Sequence, residues 1–240
     1  MRYDRCKKLF GDSFAKLQNA KVLILGVGGV GSFALDCLYR SGVKDITIVD
    51  FDRYEESNQN RQIGSENIGE IKVDILAKLY PGIKKIHTRI DNEWVENFDF
   101  EEYDVVLDCI DDVQAKVAVA KKCAHKLIAS MGSARRVDPT HIQSTSIWKT
   151  YGDPFAKKIR YELKRNGFDK DFLAIFSPEQ PKSQDKGSFV GVTGSFGLAI
   201  CAKAIEWIVD EKRCSNSNTP LQRREGNQRD TTKSQSQKTK

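Results

Sequence analysis

The stretch Lys21 to Asp52, KVLILGVGGVGSFALDCLYRSGVKDITIVDFD, constrains the fold more than any other part of the chain. Val22 to Leu25 is a short apolar run of the kind found in a strand buried on both faces. Gly26-Val-Gly28-Gly29-Val-Gly31-Ser follows at once. Glycines allow positive φ and close backbone approach, and the first turn of a helix offers unpaired N–H groups and the positive end of its dipole. The loop therefore predicts a phosphate cradle. A second strand, Ile46 to Val49, ends in Asp50, nineteen residues past Gly31, the usual place for an acid that grips ribose hydroxyls.

The remaining pattern extends this unit into a Rossmann-like, doubly wound α/β fold. Helices cover both faces of a mainly parallel sheet, and a C-terminal extension contains antiparallel strands. Residues 1–19 read as one leading helix, with Leu9, Phe10, Phe14 and Leu17 inward. Glu70 to Tyr80 reads as a helix with Ile71, Ile75, Leu76 and Leu79 on one face, stopped by Pro81-Gly82. Strands are expected at Lys85–Ile90, Asp104–Ile110, Leu127–Ser130 and Asp171–Phe176, with a helix at Val113–His125. His141–Lys149 alternates as a strand of uncertain register. Asp153-Pro154 starts a helix that runs to Asn166-Gly167. Ser177–Gly187 reads as a mobile polar loop. Phe189–Val209 is nearly all apolar or small; because Lys203 and Glu206 fall inside it, it reads as a buried or dimer-contact helix rather than a membrane span.

Charge is unevenly placed along the 240 residues. The net charge of +6 is carried by residues 212–240, where eight Lys/Arg face two acids in a background of Ser, Thr, Asn and Gln. That composition cannot bury enough surface to fold, so 212–240 is expected to be a disordered basic tail after a single domain over 1–211. The N-terminus has no apolar signal core, which points to the cytoplasm. The six cysteines include no C-x-x-C pair, and neither a zinc site nor a disulfide framework is indicated.

Candidate chemistry gathers in four places. The polar loop 53–64 carries Arg61. Lys72 lies in the first turn of a helix, the unfavourable end of the dipole for a cation; a ligand phosphate would account for it, as would a plain surface position. Asp108 and Asp111 follow a strand. Lys157, Lys158, Arg160, Lys164 and Arg165 crowd one helix, either as a solvated face or as a phosphate contact surface for nucleic acid. The glycine loop with Asp50 alone fits a nicotinamide-dependent dehydrogenase equally well. Hydride transfer does not call for the added charges, whereas attack of a carboxylate on an α-phosphate does, with fixed cations and a magnesium ion stabilising the spreading negative charge.

In order, Gly26-Val-Gly-Gly-Val-Gly31-Ser, Asp50-Phe-Asp52, Ser57-Asn58, Asn60-Arg61-Gln62, Lys72 and Asp108-Cys-Ile-Asp111 resemble the adenylating core of the ubiquitin-activating-enzyme superfamily. Asp138-Pro-Thr-x-Ile142, the Asp153-Pro154-Phe-Ala-Lys157-x-x-Arg160 helix, Phe176-Ser177 and the glycine-rich final helix are similar to its tRNA threonylcarbamoyladenosine dehydratase branch, up to about Asp210. Activators of sulfur carriers, another branch of that superfamily, commonly carry two C-x-x-C pairs that this chain lacks. The resemblance implies ATP and Mg as cofactors, tRNA as substrate, a homodimer, and room for a sulfur-transfer partner protein. It implies that Asp50 holds the ribose, that Gly26, Gly28, Gly29 and Gly31 bring backbone against the nucleotide, and that Asn58, Arg61 and Lys72 face its phosphates, with Asp52 close by. It further implies that Asp111 holds magnesium and that Arg5 reaches the partner subunit's nucleotide. No cysteine stands where a thioester-forming nucleophile is expected.

Overall fold

The computed structural model describes residues 2–185 and 187–210. The basic tail and Cys214 lie outside the described residues. The elements are, in order, α1 Asp4–Phe10, α2 Phe14–Asn19, β1 Lys21–Leu25, α3 Gly31–Ser41, β2 Asp45–Asp50, α4 Lys72–Leu79, β3 Lys84–His87, α5 Asn92–Asn97, β4 Val105–Asp108, α6 Val113–Cys123, β5 Leu127–Ser130, β6 Gln143–Ser146, α7 Pro154–Arg165, β7 Leu173–Phe176 and α8 Val190–Val209.

The seven strands form one sheet in the order β3-β2-β1-β4-β5-β7-β6. Every pairing is parallel except that of β6 with β7 at one edge, where Gln143 opposes Phe176 and Ser146 opposes Leu173. Alternate residues of a strand point to opposite faces, and β1 divides accordingly. Val22 and Ile24 join α2, α3, α4 and α8 in one core. Leu23 and Leu25 join α5, α6 and α7 in the other. The result is the doubly wound, mainly parallel arrangement expected, with antiparallel pairing at the end of the sheet.

Several expectations are corrected by tertiary packing. The leading helix is two helices, because Gly11 takes a φ of 53° and breaks it. Phe14 and Leu17 are buried as expected, but Leu9 is 77% exposed. Helix α5 was not foreseen; Asp91 caps it by accepting from the Trp94 N–H. Leu79 lies on the exposed side of α4. The expected strand 141–149 is four residues of β6 between two short 3-10 turns, Pro139–His141 and Ile147–Lys149. The polar loop after β7 begins with buried Ser177 and Glu179 rather than in solvent.

Helix α8 is long and apolar enough to cross a membrane by length and composition, and half of its most apolar window is buried within the protein. It lies along α3. A methyl group on Gly197 would meet the Val30 carbonyl oxygen at 2.5 Å and Phe33 Cβ at 2.6 Å, so only glycine admits this approach. The same packing brings Cys37 on α3 and Cys201 on α8 to a Cα separation of 6.2 Å, joined as a disulfide. Sequence spacing gave no hint of that pair, whose partners are 164 residues apart.

Candidate active site

The carboxyl ends of the parallel strands share one edge of the sheet, and the glycine loop occupies it between β1 and α3. Gly26 has φ of 80°, a conformation that disfavours side chains, and its missing Cβ would sit 3.1 Å from the Cys109 carbonyl oxygen. Gly31 is more constrained, since a Cβ there would fall 1.9 Å from the Gly26 carbonyl oxygen. Gly28 has open space, with only the Gln62 amide at 3.7 Å. Asp50 is buried and fastens the loop: its Oδ2 accepts from the Val27 N–H and its Oδ1 from the Asp52 N–H, both at 2.8 Å. The expected ribose-gripping acid thus stands beside the cradle, with part of its acceptor capacity used by backbone.

The loop after β2 closes over the cradle. Glu55 and Asn58 form a reciprocal capping box around a short turn, and Asn58 is buried by it. Arg61 lays its aliphatic stem against Gly29, within 3.3 Å of where a Cβ would be, and its Nη1 donates to the Ser57 carbonyl at 2.7 Å. Thr193 of α8 also reaches Gly29, its Cβ 3.4 Å from where a Cβ would be, and Asn60 donates to the Ser188 carbonyl at 2.9 Å. The start of the last helix therefore walls the first loop. Gln62 is buried with its Oε1 unpartnered, an acceptor held next to Gly28.

Lys72 is a buried residue, not a surface lysine. Its Nζ lies 2.8 Å from Asp52 Oδ2, and its N–H donates to the Asp52 carbonyl at 3.0 Å. The carboxylate offsets both the burial of the cation and its place at the wrong end of the α4 dipole. Asp52, Asn58 and Lys72 line a cleft of about 320 Å³ together with Phe51, Arg53, Glu55 and His87. Phe51, Arg53 and Glu55 fall in stretches marked by the sequence without being singled out, and His87 had no signal, because the cleft depends on the turn of the chain after β2 and on His87 Nε2 meeting the Phe51 carbonyl at 3.0 Å.

The two acids after β4 separate. Asp108 is fully buried, with Oδ2 2.8 Å from Lys116 Nζ. That oxygen receives no well-aligned hydrogen bond, so charge is the main link of the pair. Burial raises the Asp108 carboxyl above its ordinary range, opposed by Lys116. Oδ1 accepts from the Ile110 N–H at 3.0 Å and so shapes the turn that carries Asp111. Asp111 is exposed and has no ion pair among the described residues. Cys109, between them, has its thiol pushed up to about 12 by burial and by Asp108.

Beside this turn, Asp153 caps α7 by accepting from the Phe155 and Ala156 N–H groups, and it also accepts from the Gly132 N–H at the end of β5. Buried Arg136 links Asp153, the Ser177 carbonyl and the Glu179 carbonyl. The start of α7 is thereby pinned to the rim of the sheet. Lys157, Lys158, Lys164 and Arg165 are exposed along α7, whereas Arg160 turns inward and donates to Thr150 Oγ1. Arg5 is exposed on α1, which packs near residues 39–42, at the end of α3 remote from the glycine loop of its own chain.

Comparison with known proteins shows the family and the fold. The model of the ThiF family fits residues 3–240. The tRNA threonylcarbamoyladenosine dehydratase of Bacillus subtilis (strain 168) is 39% identical over 176 residues, 69% of each chain. The Escherichia coli (strain K12) protein of the same name is 33% identical over 178 residues, 68% of this chain and 65% of that one. Among solved structures, the E. coli tRNA N6-threonylcarbamoyladenosine dehydratase in complex with ATP superposes with a TM-score of 0.85 at 28% identity, covering 90% of this chain and 96% of that one. Its complex with AMP gives 0.82 at 30% identity, covering 86% and 93%. With the family model matched across nearly the whole sequence and a relative this similar over two thirds of its length, the chain belongs to the ThiF family.

Proposed function

We propose that this chain dehydrates threonylcarbamoyladenosine beside the anticodon of tRNA, using ATP to activate the carboxylate of the threonine moiety. A carboxylate oxygen attacks the α-phosphorus, pyrophosphate leaves, and an acyl adenylate forms. The urea-type group then closes on the activated carbonyl, AMP carries away the former carboxylate oxygen, and the proton lost on closure goes to solvent. The product is cyclic and lighter by one water. The observation that carries this reading is the cradle: a glycine loop whose Gly29 is covered by Arg61, flanked by the Lys72–Asp52 pair and by exposed Asp111.

In this reading Asp50 holds the ribose, and the Gly26 to Gly31 backbone approaches the nucleotide. Asn58, Arg61 and Lys72 hold phosphate oxygens, with Asp52 keeping Lys72 oriented. Magnesium supplies charge neutralisation at the phosphates, and Asp111 is the group that would hold it. The described residues contain no cluster of three metal-ligating side chains. One free carboxylate fits magnesium, which keeps several waters and shares phosphate oxygens. Exposure of Arg5, away from its own chain's loop, supports a homodimer in which it serves the other subunit. The two cores on one sheet support a single catalytic domain over 1–211, and the eight Lys/Arg of 212–240 support a role for that basic tail at tRNA phosphates. A tRNA substrate supports a cytoplasmic site of action, and a sulfur-transfer protein is a candidate partner.

Incubation with ATP and tRNA bearing the threonylcarbamoyl group tests the reading. AMP and a nucleoside lighter by one water are expected. AMP formation that depends on a small protein ending in Gly-Gly would overturn it in favour of carrier-protein activation. Arg61→Ala and Asp111→Asn should each lower turnover by about a hundredfold without unfolding the protein.

A further inference from the structure

The solvent face of α7 has an order that its charge alone does not convey. After Pro154, its exposed residues are Lys157, Lys158, Tyr161, Lys164 and Arg165, while Ala156, Ile159 and Leu163 are buried on the opposite side. Relative to Tyr161 the four cations stand at i−4, i−3, i+3 and i+4, the positions that neighbour a side chain on a helix surface. Tyr161 is 64% exposed and makes no hydrogen bond or ring contact among the described residues. Lys157 and Lys158 have no ion pair there. The nearby acid, Glu162, has a side chain only 13% exposed and pairs with Arg165 at 3.8 Å rather than with Lys157 or Lys158. Lys164 Nζ lies 5.8 Å from the Trp148 ring and Arg165 pairs with Glu162, so an open aromatic ring is presented to solvent with two unpaired lysines one turn before it and two partnered cations one turn after it.

We propose that Tyr161 is a stacking platform for an unpaired base of the substrate RNA, with the four surrounding cations holding the phosphates on either side. This rests on the tRNA reading above. A flat ring offers every base a π-face, and cations track the backbone; together they suit single-stranded loops. A membrane-binding face would need a row of apolar side chains, and this stripe has one aromatic. The location agrees: the Asp153 contact to Gly132, just past the carboxyl end of β5, sets the start of α7 on the sheet edge that also carries the glycine loop, and its twelve residues run about 18 Å along the flank. A stem-loop lying there has its loop against Tyr161 and the rim.

The test uses the full chain, a fluorescent anticodon stem-loop and a blunt RNA duplex of equal charge, with binding read by anisotropy across salt concentrations. Tyr161→Leu should weaken stem-loop binding about tenfold while leaving duplex affinity and the salt slope unchanged, and Tyr161→Trp should retain binding. Replacing all four cations by alanine should weaken both RNAs and flatten the slope. Wild-type stem-loop affinity in Tyr161→Leu, or an equal loss on the duplex, overturns this inference alone. Failure of the wild type to bind either RNA overturns it together with the tRNA reading. Binding to anionic phospholipid vesicles that is lost in Tyr161→Leu, with RNA affinity kept, overturns it in favour of a membrane contact.

Discussion

Lys116 Nζ lies 2.8 Å from Asp108 Oδ2, and neither side chain is reached by solvent. Through Oδ1 and the Ile110 N–H, that buried pair holds the turn between β4 and Asp111. Lys116→Met should destabilise the protein by about 3–5 kcal/mol, because the carboxylate is left buried without compensation, and adding Asp108→Asn should recover part of the loss. The pH dependence has a definite sign. A buried carboxyl with a raised folded pKa holds its proton more tightly when folded, so stability falls as pH rises above the unfolded value of about 3.9. Removing Lys116 takes away the opposing cation and widens that window, so urea unfolding should show a smaller penalty at pH 5 than at pH 8.

Two glycines of one loop should behave differently. Gly31→Ala places a methyl on the Gly26 carbonyl and should cost about 1–3 kcal/mol or more, measured by thermal or urea unfolding. Gly28→Ala meets no tight contact and should leave stability within about 0.5 kcal/mol of the parent. If the loop is a phosphate cradle, Gly28→Ala nevertheless weakens ATP binding in calorimetry. Unchanged affinity would argue against backbone approach there.

The Lys72–Asp52 pair joins a buried cation to a half-exposed carboxylate. Asp52→Asn should therefore destabilise the protein by more than about 1 kcal/mol, because it leaves the buried Lys72 ammonium without its counter-charge. Lys72→Met should lower the rate of AMP formation by about a hundredfold. Equal and small kinetic effects of both would remove Lys72 from the phosphate site.

With its thiol pushed up to about 12, Cys109 is protonated at neutral pH and poorly nucleophilic. Cys109→Ala should keep AMP formation within a few-fold of the parent, and iodoacetamide should leave Cys109 unlabelled in the folded protein by mass spectrometry. A denaturant-resistant adduct at Cys109 during turnover would contradict this.

What could be read in advance followed the range of the interaction. The unit from β1 to β2 was legible because its strand, glycines and acid are local and ordered, and α7 was legible from Asp153, Pro154 and Gly167. The break at Gly11 and the short helix α5 escaped because one glycine and one aspartate cap outweighed weak periodicity. Lys116 looked like any helical lysine, since its partner lies across the β4–α6 turn. The Cys37–Cys201 pair and the Thr193 wall of the glycine loop required α8 to return from the far end of the domain, which no window of sequence contains.

That return has a consequence for synthesis. Residues 21–72 supply the glycine loop and its charged neighbours, yet its wall comes from Ser188 and Thr193, and α3 packs against α8 where Gly197 lies close to Val30 and Phe33. A nascent chain whose last helix is still inside the ribosome tunnel lacks the residues that wall the glycine loop. ATP-binding competence should therefore arise abruptly, with the emergence of α8, rather than growing with chain length.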